Sequence, residues 1–265
     1  MAKGLNRYSV IIEEIFFKSY KKGVTEINFT RDEISTFANK LGIPVPKNIG
    51  DVLYSFRYRS PLPASILAKQ TKGFEWIIRS KGTSMYQFAL VKAKSFIPNA
   101  NLSETKILDA TPRIINKYAL SDEQALLAIV RYNRLIDIFT GHTCYSLQNH
   151  LRTTVQGMGQ VETDEIYIGV DKRGVHYFIP VQAKGGNDKL GIVQIEQDFA
   201  VGESKFPGLL CKPIAAQFMK NNLIALFEFE LTRGEISITS EKHYRLVEPN
   251  DIEDDELESY KKRLI

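Results

Sequence analysis

The sequence predicts an α/β protein in two parts: a mixed sheet flanked by helices, preceded by a smaller domain of helices and one hairpin. Three observations lead there. Apolar residues at helical spacing fill most of the first sixty positions, and two aromatic-rich runs joined by a glycine-containing turn follow them. From position 161 onward, strand-like runs surround a single helical segment. Charge divides along the same line: residues 1–95 hold 16 Lys+Arg against 7 Asp+Glu, a net of +9, leaving 19 against 24, a net of −5. A positive first third beside a mildly acidic remainder suits a module that grips a polyanion, joined to something else.

The 265 residues can bury a substantial core, and 43% hydrophobic with 25% charged content is that of an ordinary globular protein. No apolar run approaches the roughly 18–20 residues needed to span a bilayer. The N-terminus carries Glu13 and Glu14 inside its apolar part, so it reads as an amphipathic helix and not a signal peptide. Cys144 and Cys211 fit a reducing, cytoplasmic setting. Neither they nor His142, His150, His176 and His243 have the spacing of a zinc site.

Residues 7–21 place Val10, Ile11, Ile15 and Phe16 at helical spacing, which predicts a first helix. Thr30 followed by Glu33 is a capping-box pattern that opens a second helix, closed by Gly42. The stretch 47–59 predicts a third, ended by Pro61 and Pro63. The runs 74–80 and 85–91 then form a hairpin. Three helices and a hairpin have the layout of a winged helix-turn-helix, in which the third helix enters the major groove of DNA and the hairpin follows the backbone. On that reading Lys47, Asn48, Arg57 and Arg59 face DNA from the helix, and Arg79 and Lys81 from the wing. Asn and Arg can pair with base edges, while Lys meets phosphate.

The stretch 92–111 mixes turn residues with no sustained period, so residues 96–117 are read as a linker between a domain over 1–95 and another over 118–265. Ser121 is expected to cap a long helix, apolar on most faces, that ends at Gly141. Glu123 falls in its first turn and is read as a partner of the helix dipole. Residues 145–158 are read as a connecting segment. Strands follow at 161–170 and 175–184, joined by a hairpin turn ending at Gly174, then a helix over 189–200 and strands at 209–218, 223–231 and 235–240. The acidic tail from Glu248 is read as a surface helix or a frayed end.

The chemistry concentrates between Gly159 and Asp198. Alternation puts Glu162 and Asp164 on one face of their strand and Gln182 and Lys184 on one face of the next. If the strands are neighbours, metal-favouring oxygens and one ammonium converge, which is an inventory for metal-assisted hydrolysis of a phosphodiester. The runs Tyr167–Val170 and His176–Val181 are too apolar for an exposed hairpin, so these polar residues interrupt something buried.

An acid on one strand and [acid or amide]-x-Lys on the next resembles the PD-(D/E)xK nuclease superfamily, to which most Type II restriction endonucleases belong. Asp164 matches its first metal-binding acid, Gln182 the position usually held by Glu or Asp, and Lys184 its lysine. The glutamine departs from the common pattern, and the VQAK of residues 181–184 is similar to the Gln-x-Lys of Mrr-like restriction nucleases. The resemblance covers roughly residues 120–230 and implies a restriction-endonuclease-like core. It also implies Mg²⁺, with Mn²⁺ as a substitute, held by Asp164, the Ala183 carbonyl and Gln182 or Glu162, with Gln194 supporting from the following helix.

Because an amide brings an oxygen without charge, Glu162 is the natural compensating acid. The expected activity is sequence-specific cleavage of double-stranded DNA by two copies of the chain, with a cognate DNA methyltransferase acting separately. Two other readings compete: a DNA-binding regulator with a non-catalytic C-terminal domain, and a structure-specific repair nuclease. The regulator has no use for an Asp/Gln/Lys cluster, and the repair nuclease little use for a separate winged-helix reader.

Overall fold

The computed structural model describes residues 7–45, 47–92, 96–118, 123–185 and 190–263. Its chain forms two compact units that no single cut in the sequence separates. One comprises residues 1–95 with 152–161 and 191–197; the other comprises 96–151, 162–190 and 198–265.

In the first unit, α1 (Arg7–Ser19) buries Ile11, Ile12, Ile15 and Phe16. A strand absent from the sequence reading follows, β1 (Glu26–Thr30), whose residues alternate between exposed and buried. It is too short for its period to stand out beside the helix it feeds. The capping box is present at the start of α2 (Arg31–Lys40): the Thr30 amide donates to Glu33 Oε2 at 3.0 Å. The third helix is α3 (Ile49–Tyr54), continued by a π-helical turn over Ser55–Arg59, and a short α4 (Ala64–Leu67) comes next. β2 (Phe74–Ser80) and β3 (Met85–Lys92) form the expected hairpin, and β1 joins it in an antiparallel sheet of order β1-β3-β2. Phe16 holds helix to sheet through edge-on contacts with Trp76 and Phe88, ring centroids 5.1 and 5.2 Å away.

The second unit is built on an eight-stranded sheet, although the ends of two strands, at 152–155 and 159–161, and of one helix, at 192–197, belong to the first unit. Its elements are β4 (Glu104–Leu108), α5 (Arg113–Tyr118), α6 (Glu123–Tyr132), α7 (Leu135–Thr140), β5 (Thr143–Val155), β6 (Gly159–Val170) and β7 (His176–Lys184). After these come α8 (Ile192–Lys205), β8 (Leu210–Cys211), β9 (Ile214–Phe218), β10 (Leu223–Thr232), β11 (Glu235–Val247) and α9 (Asp254–Lys261). The strand order is β4-β11-β10-β9-β7-β6-β5, with β8 beside β7. The sheet is mixed. β7 runs parallel to β8 and β9, and β11 parallel to β4, whereas β6 and β7, β9 and β10, and β10 and β11 are antiparallel.

Helices flank both faces. Leu126, Leu127 and Val130 of α6 belong to one core with Ile179, Val181 and Ala183 of β7. The alternate residue Phe178 faces the other way, stacked on Phe206 just past the end of α8 with centroids 4.3 Å apart. Gly202 lets α8 sit this close, since a Cβ there would meet Cys211 Sγ at 2.7 Å and Phe178 Cδ1 at 3.1 Å.

Three expectations need correction. Residues 96–117 are not a free linker, because they contain β4, which pairs with the last five residues of β11. The single helix expected over 121–139 is broken into α6 and α7, and its predicted cap, Ser121, lies outside the described residues. Asn133 makes the break. Buried, it donates to Thr111 Oγ1 and the Ile129 carbonyl and accepts the Ala110 amide, while Arg134 takes a left-handed φ of 50°. Residues 145–158 are no mere connection, since most of them are β5, the strand at the sheet's edge. Six consecutive exposed residues from Tyr145 to His150 erase the alternation that would have marked it.

Candidate functional site

The ladder between β6 and β7 runs from Val170–His176 to Glu165–Val181. One residue further on each strand stand Asp164 and Gln182. There the Asp164 side chain takes over from the ladder: its Oδ2 accepts the Ala183 amide at 2.8 Å. A carboxylate thus sits against the backbone of the residue between Gln182 and Lys184, which ties the acid to the Gln-x-Lys segment.

Lys184, the last residue of β7, is 8% exposed. Its Nζ lies 3.1 Å from Glu123 Oε1, on the first residue of α6. The dipole reading of Glu123 missed this contact, which joins residues 61 positions apart and leaves no local signal. Burial pushes the Asp164 carboxyl above its ordinary range. The Ala183 amide and the Lys184 ammonium pull it back, and the charges of Glu123 and Glu162 push it further up. Asp164, Lys184, Glu123 and Glu162 therefore form one electrostatic group. Glu162 Oε1 is 2.8 Å from His150 Nε2.

Gln182 departs from the expected convergence. It is 1% exposed, and its Nε2 lies 3.0 Å from each carboxylate oxygen of Asp198 on α8 and 3.4 Å from the Glu162 carbonyl. Thr163 Oγ1 also donates to Asp198, at 2.7 Å. Lys184 shares the parity of Gln182 yet meets α6, on the opposite face from α8. Likewise Thr163 reaches α8, while Glu165, two residues on, accepts from Arg131 of α6 at 2.9 Å and from Ser146 at 2.6 Å. The alternation of faces breaks where the β6–β7 ladder ends at Glu165–Val181, although Gln182 and Lys184 keep their partners on β9. The two donors to Asp198 suit the ionised carboxylate, which only accepts. Burial opposes that form and pushes Asp198 up to about 8. Gln194 Oε1 lies 3.5 Å from the Gly191 amide, at the N-terminal end of α8.

Among the described residues, no three His, Cys, Asp or Glu side chains are gathered to hold a metal by themselves. Any cation here needs amide or main-chain oxygens besides the carboxylates of Asp164 and Glu162.

The residues expected to face DNA belong to the first unit. Lys47 and Lys81 are exposed. Asn48 caps α3: its Oδ1 accepts the Gly50 amide at 3.1 Å and its Nδ2 donates to Asp51 at 2.8 Å, so its amide already serves the helix start. The Arg57 guanidinium lies 4.8 Å from the Tyr58 ring centroid. The Arg59 side chain lies outside the described residues. Arg79 makes a two-pronged ion pair with Glu196, Nε to Oε2 at 2.9 Å and Nη2 to Oε1. Close by in sequence to that acid, Gln197 donates to the Tyr58 hydroxyl at 2.7 Å. No described helix is long and apolar enough to cross a membrane. No protein-family model, curated protein or solved structure matches this chain.

Proposed function

We propose that this chain is a Mg²⁺-dependent endonuclease of the PD-(D/E)xK kind, hydrolysing phosphodiester bonds in double-stranded DNA as Type II restriction enzymes do. The observation that carries the reading is the bond from the Ala183 amide to Asp164, with Lys184 buried beside it and paired to Glu123. The resemblance to Mrr-like nucleases rests on Gln182 and Lys184, with Asp164 as the matching first acid. The oxygen set also fits the ion. Asp164 and Glu162 bring charge, and Gln182 and the Ala183 carbonyl bring neutral oxygens. Mg²⁺ is commonly held by one or two carboxylates while it keeps several waters.

When bound, the ion would supply Lewis-acid stabilisation of the phosphate and a more acidic water. The residues of the chain divide the remaining work. Asp164 would anchor the cation side of the site, its second oxygen steadied by the Ala183 amide. Lys184 would orient the attacking water and offset charge that develops on the phosphate oxygens, its ammonium aimed by Glu123. A low-dielectric setting makes that ammonium more effective than a solvated one. In the proposed division of labour, residues 1–95 act as a winged-helix reader of duplex DNA. Two copies cut the two strands, in the cytoplasm, and a separate methyltransferase would protect the host sites.

The test is Mg²⁺-dependent cleavage of mixed plasmid DNA by the purified full-length protein, with EDTA as control. Lys184→Ala and Asp164→Asn should each lower the rate by about a hundredfold or more, and Lys184→Ala should leave DNA binding nearly intact. Asp164→Asn should also weaken Mn²⁺ binding. DNA binding without cleavage by the wild-type protein would favour the regulator reading. Cleavage confined to branched DNA would favour the repair-nuclease reading.

A further inference from the structure

Gln182 stands where the superfamily most often places an acid, and the structure holds a carboxylate directly behind it. Asp198 is fully buried, Gln182 is 1% exposed and Thr163 is 1% exposed. The bonds that converge on Asp198 come from neutral donors, the Gln182 amide and the Thr163 hydroxyl. Burying a carboxylate without a cation bonded to it is costly, and an apolar residue would fill the space at less expense. Packing alone gives no reason for an acid here.

Its hydrogen-bonding character gives one. An amide has a donor prong and an acceptor prong of nearly equal size, so a cavity that merely accommodates glutamine leaves both orientations open. A carboxylate accepts from the nitrogen and repels the oxygen. We propose that Asp198 is a positioning residue for Gln182: it captures Nε2 and so fixes the carbonyl oxygen as the end of Gln182 that meets a divalent cation. On this view the missing acid of β7 has not been lost. It stands on α8 and acts through the glutamine, as partners behind a ligand do in many metal sites. The inference rests on the nuclease reading and assigns a role to a residue that reading does not use.

One consequence is that the two positions are coupled. Gln182→Glu alone would set two buried carboxylates against each other, leaving Asp198 the Thr163 hydroxyl as its side-chain donor among the described residues. The exchange Gln182→Glu with Asp198→Asn keeps one carboxylate and one amide in the same contact and moves the charge to the ligand position.

The experiment compares the full-length wild-type protein, Asp198→Asn, Gln182→Glu and the double exchange. Mn²⁺ binding without DNA is read by electron paramagnetic resonance, the Mg²⁺ dependence of plasmid cleavage is measured in parallel, and circular dichroism checks folding. Asp198→Asn should remain folded and bind Mn²⁺ about 10–100-fold more weakly. Gln182→Glu should fold poorly or bind weakly, and the double exchange should restore binding to wild-type strength or better. If Asp198→Asn does not fold, the double exchange reads the same coupling. Wild-type Mn²⁺ affinity in folded Asp198→Asn, or a double exchange no better than Gln182→Glu, overturns the positioning role and leaves the nuclease reading standing. A wild-type protein that neither binds Mn²⁺ nor cuts overturns both.

Discussion

Asp164 and Gln182 differ in how far the sequence could describe them. Alternation placed Asp164 near the Gln-x-Lys strand, and the bond to the Ala183 amide agrees with that placement. The same rule sent Gln182 towards Asp164 and Lys184, whereas its amide nitrogen is held by Asp198, sixteen residues on and across a helix. No local pattern marks that contact. The usable signal was chemical: a buried amide needs an acceptor for its nitrogen, and Asp198 is an acid on the helix that follows. A second residue-scale feature concerns the cysteines. Burial pushes the Cys144 thiol up to about 11, and raises that of Cys211 as well. At pH 8 a thiol of that kind is only about 0.1% thiolate, the form that reacts. Iodoacetamide should therefore label both far more slowly in the folded protein than in urea, and the native rate should climb as pH rises above 8. Labelling of native Cys144 at the rate of a free thiol would contradict this burial.

The elements that sequence reading missed lack a clear local period. β4 and β5 lie at the two edges of the sheet, and neither shows a clean alternation: β4 is half-buried through its middle and β5 is exposed from Tyr145 to His150. The helix break at Asn133 depends on partners more than twenty residues away, Ala110 and Thr111, which no local period can show. β7 was legible because nearly all of it is buried and both flanks carry turn signals. α8 was legible as a helix, but its closeness to the sheet was not. Gly202 sets that distance, and it lies one helical turn beyond Asp198, on the same side. Gly202→Ala should force Cβ against Cys211 Sγ and Cβ, at 2.7 and 3.0 Å in ideal geometry. The expected cost is about 1–3 kcal/mol, read as a lower urea midpoint with an unchanged slope. Cys211→Ala in the same chain should recover part of it by removing the sulfur. A midpoint that does not move would mean the strand beneath α8 yields freely, and the spacing that holds Asp198 over Gln182 would then need another explanation.

At the scale of the molecule, the charge split remains the feature with the most direct test. The aromatic and aliphatic core of the first unit is drawn from Ile11 to Phe88, all inside the residues with net charge +9. A fragment of residues 1–95 therefore keeps that core, although it loses 152–161 and 191–197 and with them the Glu196 partner of Arg79. The fragment should fold and bind duplex DNA by itself, with affinity falling steeply as salt rises, because Lys and Arg displace counterions from phosphates. Lys47 and Lys81 are exposed, so replacing either by Ala should weaken binding evenly across sequences and reduce the salt slope by about one. Arg57 and Arg59 make a different prediction: if either reads a base edge, its loss should cost about 1–3 kcal/mol of discrimination at one position. Asn48 should behave otherwise, since its side chain caps α3; Asn48→Ala should cost about 1 kcal/mol of stability and leave the binding preference of the folded fraction unchanged. Freed from Glu196, Arg79 should make the fragment's salt slope steeper than its share of the full chain's, and Arg79→Ala in the fragment should remove that excess. A folded fragment with no salt-sensitive DNA binding would defeat the winged-helix assignment and move target recognition to the larger unit.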